Sequence, residues 1–151
     1  MSSVLPVQKR RHAFTLVELA VVIVIIGVLA AFGVPRFITS VERSKSTEAF
    51  SYLAAVRAAQ ERYLAHEGTY AWDLGKIDVK FSTPKYFTVG ELSAGATGSF
   101  EDSWMLTLTR VGHSAGYGAY TVTFTQDGYD ATNSTIDPHP EINPMAQHLR
   151  P

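Results

Sequence analysis

The sequence predicts an α+β protein in which one long N-terminal helix packs on a three- or four-stranded antiparallel sheet. Three observations predict this fold: an apolar run from Ala13 to Val34, helical spacing of apolar residues beyond Pro35, and alternation of apolar residues with threonine in the second half. The chain has 151 residues, which is enough for one domain and one membrane segment.

The apolar run, Ala13–Val34, has 22 residues, and its only conventional polar residues are Thr15 and Glu18. As a helix it would be about 33 Å long, which is enough to cross a hydrocarbon core of about 30 Å. The basic cluster Lys9–Arg11 precedes the run, and Arg36 follows it. The run is therefore predicted to be a membrane segment with one charged residue near its start.

Glu18 restricts how this run can be interpreted. A charged side chain at the centre of a membrane helix costs roughly 2.5–3.5 kcal/mol, and the run contains no Lys or Arg to offset it. An ordinary anchor does not need the acid, and a secretory signal cut after Gly33 would have a shorter apolar stretch. Cleavage before Phe14 would instead place a new cationic amine near Glu18.

The residues from His12 to Leu19, followed by an aliphatic run, resemble the class III signal of type IV pilins and type II secretion pseudopilins. The similarity extends to about Tyr70. It implies that a prepilin peptidase cuts between Ala13 and Phe14 and methylates the new amine of Phe14. Ala13 departs from the glycine that usually precedes the cut in this family.

The same resemblance gives Glu18 a role in assembly, because in the family this acid pairs with the Phe14 amine of the neighbouring subunit and sets the register. Removal of the leader, residues 1–13, takes away three cations and changes the formal charge from −1 to −4. Three Lys and Arg residues flank the run closely on each side, so the resemblance alone implies a cytoplasmic leader and an exported C-terminal domain.

Helix-weakening residues follow in the second half of the membrane helix, residues 14–35. Pro35 lacks a backbone donor and disturbs the preceding turn, and Gly27 and Gly33 lie upstream of it. We expect a weakened stretch from Gly27 to Pro35. The resemblance implies that this stretch unwinds on filament assembly, whereas a simple kink at the membrane surface is the alternative.

Residues 36–67 are expected to continue the helix as an amphipathic segment. No Gly or Pro interrupts Arg36 to Glu67, and Gly68 is a natural stop. The predicted packing stripe comprises Ala49, Tyr52, Leu53, Val56, Ala59 or Gln60, and Tyr63. The charged residues, including Glu42, are assigned mostly to other faces of the helix. From Phe14 to Ala65 the helix would contain 52 residues.

Residues 68–151 are expected to form an irregular connecting loop, the antiparallel sheet and an irregular tail. Strands are predicted near Tyr86–Val89, at Trp104–Thr109 and at Tyr120–Thr125, and Asp127-Gly128 predicts a hairpin turn. The threonine-rich face of the sheet is expected to be exposed. The proline-containing tail after Thr132 is expected to be partly mobile.

Composition and motifs give no indication of an enzyme. With 13 basic and 14 acidic residues, bulk charge does not indicate nucleic-acid binding, and the absence of cysteine excludes disulfides and thiolate metal sites. Asp127, Asp130 and Asp137 could supply oxygen ligands to Ca²⁺, although turn chemistry alone would explain Asp127. No other cofactor is expected.

The leading hypothesis is a structural subunit that forms a helical homopolymer, a type IV pilus-like filament. Its implied partners are other copies of the chain, the prepilin peptidase, an inner-membrane assembly platform and a motor ATPase. The subunit would be single-pass in the inner membrane before assembly and then part of a periplasmic or cell-surface filament. The alternatives are a type II secretion pseudopilin and, in another class, a membrane-anchored or secreted binding module.

Overall fold

The computed structural model describes residues 14–112 and 116–146. The predicted leader, including Ala13, lies outside these residues, as do His113 and His148. The chain divides into two compact units, with the boundary between Arg36 and Phe37. The first unit contains the apolar run, and the second, which we call the globular unit, contains the rest of the helix and the sheet.

The long helix, α1, spans Leu16–Glu67 and contains 52 residues, with Pro35 inside it. This confirms the predicted continuous helix and its length. Gly68 follows with a φ of 74°, and its backbone N–H donates to the Leu64 carbonyl at 2.9 Å. Glycine adopts this left-handed conformation without steric cost, so Gly68 ends the helix where the sequence predicted.

The sheet is antiparallel throughout and has five strands in place of the predicted three or four. The strands are β1 Phe87–Val89, β2 Ser93–Ala94, β3 Trp104–Arg110, β4 Thr121–Thr125 and β5 Gly128–Tyr129; a short 3₁₀-helix spans Leu74–Lys76. In the sheet, β1, β3, β4 and β5 lie in that order, and β2 also pairs with β3. The additional strand, β2, has only two residues, which is too short to show an alternating pattern.

The predicted hairpin joins β4 to β5. Thr125 pairs with Gly128, which has a φ of 111°, and Phe124 pairs with Tyr129. The core of the globular unit lies between this sheet and one face of α1. Phe50 of the helix contacts Phe124 edge to face, with 5.8 Å between ring centroids. The predicted packing stripe is confirmed, with Tyr52 buried and Tyr63 partly buried.

Glu42 corrects the predicted polar face of the helix, because its side chain is fully buried against the sheet. Arg110 donates from Nε to Glu42 Oε1 at 2.6 Å and from Nη2 to Oε2 at 3.2 Å. The Tyr120 hydroxyl also donates to Oε1, at 3.0 Å. Lys45 lies 3.3 Å from Oε2. The carboxylate is therefore ion-paired and hydrogen-bonded, as a buried charge requires.

The environment of this cluster shifts the ionisation of its partners. A hydrogen bond to Glu42 raises the pKa of Arg110. Burial, followed by the nearby Glu42 charge, raises the pKa of Tyr120 well above its usual range. Both shifts favour the protonated forms, so Arg110 is a cation and Tyr120 is a neutral donor at neutral pH.

The C-terminal tail covers part of the sheet face that was expected to be exposed. Thr123 is fully buried; its backbone N–H donates to Ser134 Oγ, and its hydroxyl donates to the Asn133 carbonyl, both at 2.9 Å. Ile136 and Ile142 are also fully buried. The predicted exposure of the threonine face is therefore wrong at Thr123.

The tail is irregular, as predicted, but the structure shows how it is held without cysteine. The Ile136 backbone N–H donates to the Thr121 carbonyl at 3.2 Å. On the other side, the buried Ser46 hydroxyl of α1 donates to the Ile142 carbonyl at 2.5 Å. Two isoleucines and these hydrogen bonds anchor residues 131–146 to both the helix and the sheet.

Candidate assembly site at the start of the helix

The predicted assembly residue, Glu18, lies in the first turn of α1. Its Oε2 accepts hydrogen bonds from the Thr15 backbone N–H at 2.9 Å and from the Thr15 hydroxyl at 2.8 Å. In return, the Glu18 backbone N–H donates to Thr15 Oγ1 at 3.2 Å. This reciprocal pattern is a capping box, which satisfies amide groups that a helix start leaves without intrahelical partners.

Thr15 is the hydrogen-bond partner of Glu18 that the sequence interpretation missed. The signal was present, because Thr15 and Glu18 have the Thr-x-x-Glu spacing of a capping box directly before an apolar helix. Two of the bonds that Thr15 makes converge on one carboxylate oxygen. The cap therefore fixes the orientation of the Glu18 side chain with respect to the chain just ahead of the helix.

Phe14 is the first described residue, and its side chain is 85% exposed. Ala13, the other half of the predicted cleavage site, lies outside the described residues. Phe14 directly precedes Thr15, so an amine created at Phe14 would be one residue from the group that caps Glu18. The position where cleavage would create this amine and the Glu18 carboxylate therefore lie in the same short segment.

The apolar run presents large hydrophobic side chains around the whole helix. Along the run, side chains such as Leu16, Ile23 and Phe32 are 84%, 62% and 74% exposed. Within the described residues, α1 is the helix that is long and apolar enough to cross a membrane. A helix that is hydrophobic on all sides requires lipid or other helices around it.

Gly27 and Gly33 make no close contact that would require glycine. A Cβ added at either position would meet nothing within 4 Å. Both residues and Pro35 lie in the interior of α1, where glycine and proline have low helix propensity. The stretch from Gly27 to Pro35 therefore has a lower intrinsic helix propensity than the residues on either side of it.

The three candidate calcium ligands each take part in a separate local arrangement. Asp127 accepts from the Gln126 side-chain amide at 3.0 Å, and Asp130 caps a turn by accepting from two backbone N–H groups at 3.0 and 3.1 Å. Asp137 lies 3.4 Å from the Tyr129 hydroxyl, which donates to it. Over residues 14–112 and 116–146, no three acidic, histidine or cysteine side chains are gathered to hold a metal. The structure does not bring the three aspartates together.

Comparison with known proteins identifies the N-terminal segment. Residues 8–34 match the family described as the prokaryotic N-terminal methylation motif. The chain is 42% identical over 62 residues to the type IV major pilin protein PilA of Myxococcus xanthus, covering 41% of this chain and 28% of that protein. It is 34% identical over 80 residues to the type II secretion system core protein G of Dickeya chrysanthemi, covering 51% of this chain and 52% of that protein.

A third relative matches over nearly its whole length. The chain is 30% identical over 139 residues to the type IV wide pilus major component PilA4 of Thermus thermophilus. That match covers 90% of this chain and 99% of the relative, so it includes the globular unit as well as the helix. By this full-length similarity and the methylation motif, the chain belongs to the family of type IV pilins and pseudopilins.

Proposed function

We propose that this chain is the structural subunit of a type IV pilus-like filament that polymerises through its N-terminal helix. The observation that carries the proposal is an apolar helix, exposed on all sides, whose one carboxylate is oriented at its start by Thr15. Such a helix is stable in a bilayer before assembly and in a bundle of identical helices afterwards. The names of two relatives, a major pilin and a wide-pilus component, support this function.

In this proposal, the prepilin peptidase cuts between Ala13 and Phe14 and methylates Phe14. The Phe14 amine of one subunit then pairs with Glu18 of its neighbour. Formation of this pair offsets the cost of keeping a carboxylate in an apolar environment. The stretch from Gly27 to Pro35 is where the helix loosens as subunits enter the filament.

The proposed assembly also implies where the subunit is located and which proteins act on it. The subunit waits in the inner membrane with its globular unit in the periplasm. An assembly platform and a motor ATPase then move it into a periplasmic or cell-surface filament. This is a structural role, and the relatives described above are named as pilus or secretion components.

A second candidate is a pseudopilin, the subunit of a short secretion filament. The similarity to type II secretion core protein G favours it. The two candidates share the helix chemistry and differ in the length of the filament. Electron microscopy of cells producing the chain separates them, because long surface fibres support the pilus and their absence, with intact processing, supports the pseudopilus.

The Glu18→Gln substitution tests the assembly site. It keeps the size of the side chain but removes the charge that pairs with the amine. We expect normal amounts of processed subunit in the membrane and much less filament, because a contact weakened by about 1.4 kcal/mol raises the subunit concentration needed for assembly roughly tenfold. Sheared filaments and membrane-bound subunit are both quantified by immunoblot.

The matched control is Glu91→Gln, which neutralises an exposed carboxylate of the globular unit. This control is expected to assemble like the unmodified chain. Normal filament numbers with Glu18→Gln would show that the carboxylate charge does not guide assembly.

A further inference from the structure

A cluster of exposed apolar and basic side chains lies in the globular unit near the point where the chain enters the apolar run. We call it the basal surface: Phe37, Val41, Lys45, Lys85, Tyr86 and Val111. Phe37 is 69% exposed and Val111 is 50% exposed, and a cluster of exposed large apolar residues is more informative than a single one. Phe37, Val41 and Lys45 belong to α1. Lys85 and Tyr86 directly precede β1, and Val111 directly follows β3, so the fold gathers these residues from three parts of the chain.

A backbone hydrogen bond and two cation–π contacts connect the residues of the basal surface. The Val111 backbone N–H donates to the Tyr86 carbonyl at 2.9 Å. Above the Tyr86 ring, Lys45 Nζ lies 5.2 Å and Lys85 Nζ lies 5.6 Å from the centroid. An open, mainly apolar groove runs between Val41, Lys45 and Tyr86. The basal surface is thus a continuous patch with an aromatic ring between two lysines.

The charge of this region is positive, although the chain as a whole is acidic. Two carboxylates lie here: Glu42 is bonded to Arg110 and Lys45, and Oε1 of Glu48 accepts from the Lys85 backbone N–H at 3.1 Å. Together with Lys85 these residues carry three cations and two anions. By contrast, removal of the leader would leave the whole chain with a formal charge of −4. A positive patch on an acidic chain indicates an anionic partner.

The sequence shows why this partner is expected to be lipid. Three basic residues, Arg36, Arg43 and Lys45, follow the apolar run, as many as precede it in the leader. Aromatic rings and long basic side chains are typical of the membrane interface, where the apolar part contacts acyl chains and the charged tip reaches phosphate. The basal surface combines both kinds of group, and its helix residues Phe37, Val41 and Lys45 follow the last residue of the run, Val34, within 11 positions.

We propose that the basal surface binds the headgroups of anionic phospholipids in the subunit before assembly. The inference rests on the membrane insertion included in the proposed function. The exposed apolar groups of the surface enter the interfacial region, while Lys45 and Lys85 contact phosphates. The surface would hold the waiting subunit on the bilayer, and its release would accompany extraction into the filament.

The chain contains no cysteine, so single-cysteine labelling gives a direct test. A short-range fluorophore is attached to the processed full chain through Val111→Cys, in vesicles of phosphatidylcholine with or without phosphatidylglycerol. The reference label is at Glu101→Cys, an exposed site next to Phe100, whose carbonyl accepts from the Tyr70 N–H just beyond the end of α1. Lipids with a nitroxide at the headgroup quench a label that reaches the interface.

We expect quenching at position 111 to exceed that at position 101 by roughly twofold in anionic vesicles, and to weaken in high salt because charges at the surface are screened. Lys85→Gln should reduce the difference. Lys76→Gln, which removes a cation stacked on Trp72 near the other end of the unit, should not. Lys85 is exposed and makes no side-chain bond to the buried cluster through its charge, so this variant is expected to fold.

Several results would overturn the proposal. Equal quenching at the two positions would show that the basal surface does not reach lipid. Equal quenching of position 111 in neutral and anionic vesicles would refute the anionic headgroup as the ligand. If the label at position 111 became better protected from quenching as the protein-to-lipid ratio rose, the basal surface would instead bind a second copy of the chain. Failure of the chain to float with vesicles would instead contradict the membrane insertion of the proposed function.

Discussion

At the residue scale, two carboxylates on one helix have opposite surroundings. Glu18 lies at the exposed start of α1 and is oriented by Thr15, whereas Glu42 is fully buried and surrounded by Arg110, Tyr120 and Lys45. A buried charge with three partners stabilises one specific packing arrangement. Glu42 therefore acts within the folded unit, while Glu18 is placed to interact beyond its own chain.

The burial of Glu42 gives a prediction for stability. Glu42→Ala would leave Arg110 as an uncompensated buried cation, and breaking a buried pair in this way costs about 3–5 kcal/mol. Urea denaturation of the processed chain in detergent micelles, followed by tryptophan fluorescence, measures this loss, because Trp104 is fully buried in the same core.

The control for this variant is Glu67→Ala, which removes an exposed carboxylate from the last residue of the same helix. Its free energy of unfolding should stay within about 0.5 kcal/mol of the unmodified chain, as is usual for surface substitutions. A comparable effect of both substitutions would show that the pair with Arg110 does not stabilise the globular unit.

At the element scale, the helix and the principal strands were predictable because their patterns are local. Gly68 ends α1, and alternation identifies β3 and β4 within one residue of their observed limits. The partners of Glu42 were not predictable, because they depend on contacts between residues 68 and 78 positions apart. A single acidic residue at helical spacing looks the same in the sequence whether it faces solvent or a distant arginine.

The path of the C-terminal tail was also not predictable from the sequence, because it depends on contacts between distant residues. Ser46 and Ile142 are separated by 96 positions, yet the hydrogen bond between them joins the tail to the helix. The many prolines and polar residues after Thr132 favour an irregular segment, and that part of the prediction was correct. The segment also contains Ile136 and Ile142, and both side chains are buried in the core.

Anchoring of the tail gives a second stability prediction. Ile142 is fully buried, and truncation of a buried isoleucine to alanine costs about 2–5 kcal/mol. We expect Ile142→Ala to destabilise the globular unit by this amount and to make residues 131–146 sensitive to protease. Denaturation and limited proteolysis with mass spectrometry measure the two effects.

Val111→Ala, at a position that is 50% exposed, is the comparison for this truncation. It should cost much less and leave the tail resistant to protease. If Ile142→Ala left both stability and protease resistance unchanged, the tail would not be a stabilising element of the unit.

At the scale of the whole molecule, the chain combines two units with different requirements. The globular unit has a complete core made by α1, the sheet and the tail. The described part of the first unit, residues 14–36, has no buried core, since its apolar side chains are exposed. A molecule of this kind needs one environment for its helix before assembly and another afterwards, as expected for a subunit that passes from a membrane into a filament.

Phe14 and Glu18 stay predictions as assembly residues, and the pattern that predicts them lies within one short segment. Thr15 was missed even though its spacing to Glu18 is local. The three candidate calcium ligands lie in separate local arrangements, because each aspartate bonds to its own turn or to a nearby side chain. Proximity in the sequence does not establish that ligands converge in space.

The central claim is that Glu18 acquires its partner when the chain is cut before Phe14. The most direct test is N-terminal sequencing and intact-mass analysis of the chain isolated from membranes and from filaments. We predict that it begins at Phe14 in both fractions and that the Phe14 amine carries one methyl group. A mature chain that begins at Val34 would lack the helix start and Glu18, and that result would contradict the claim.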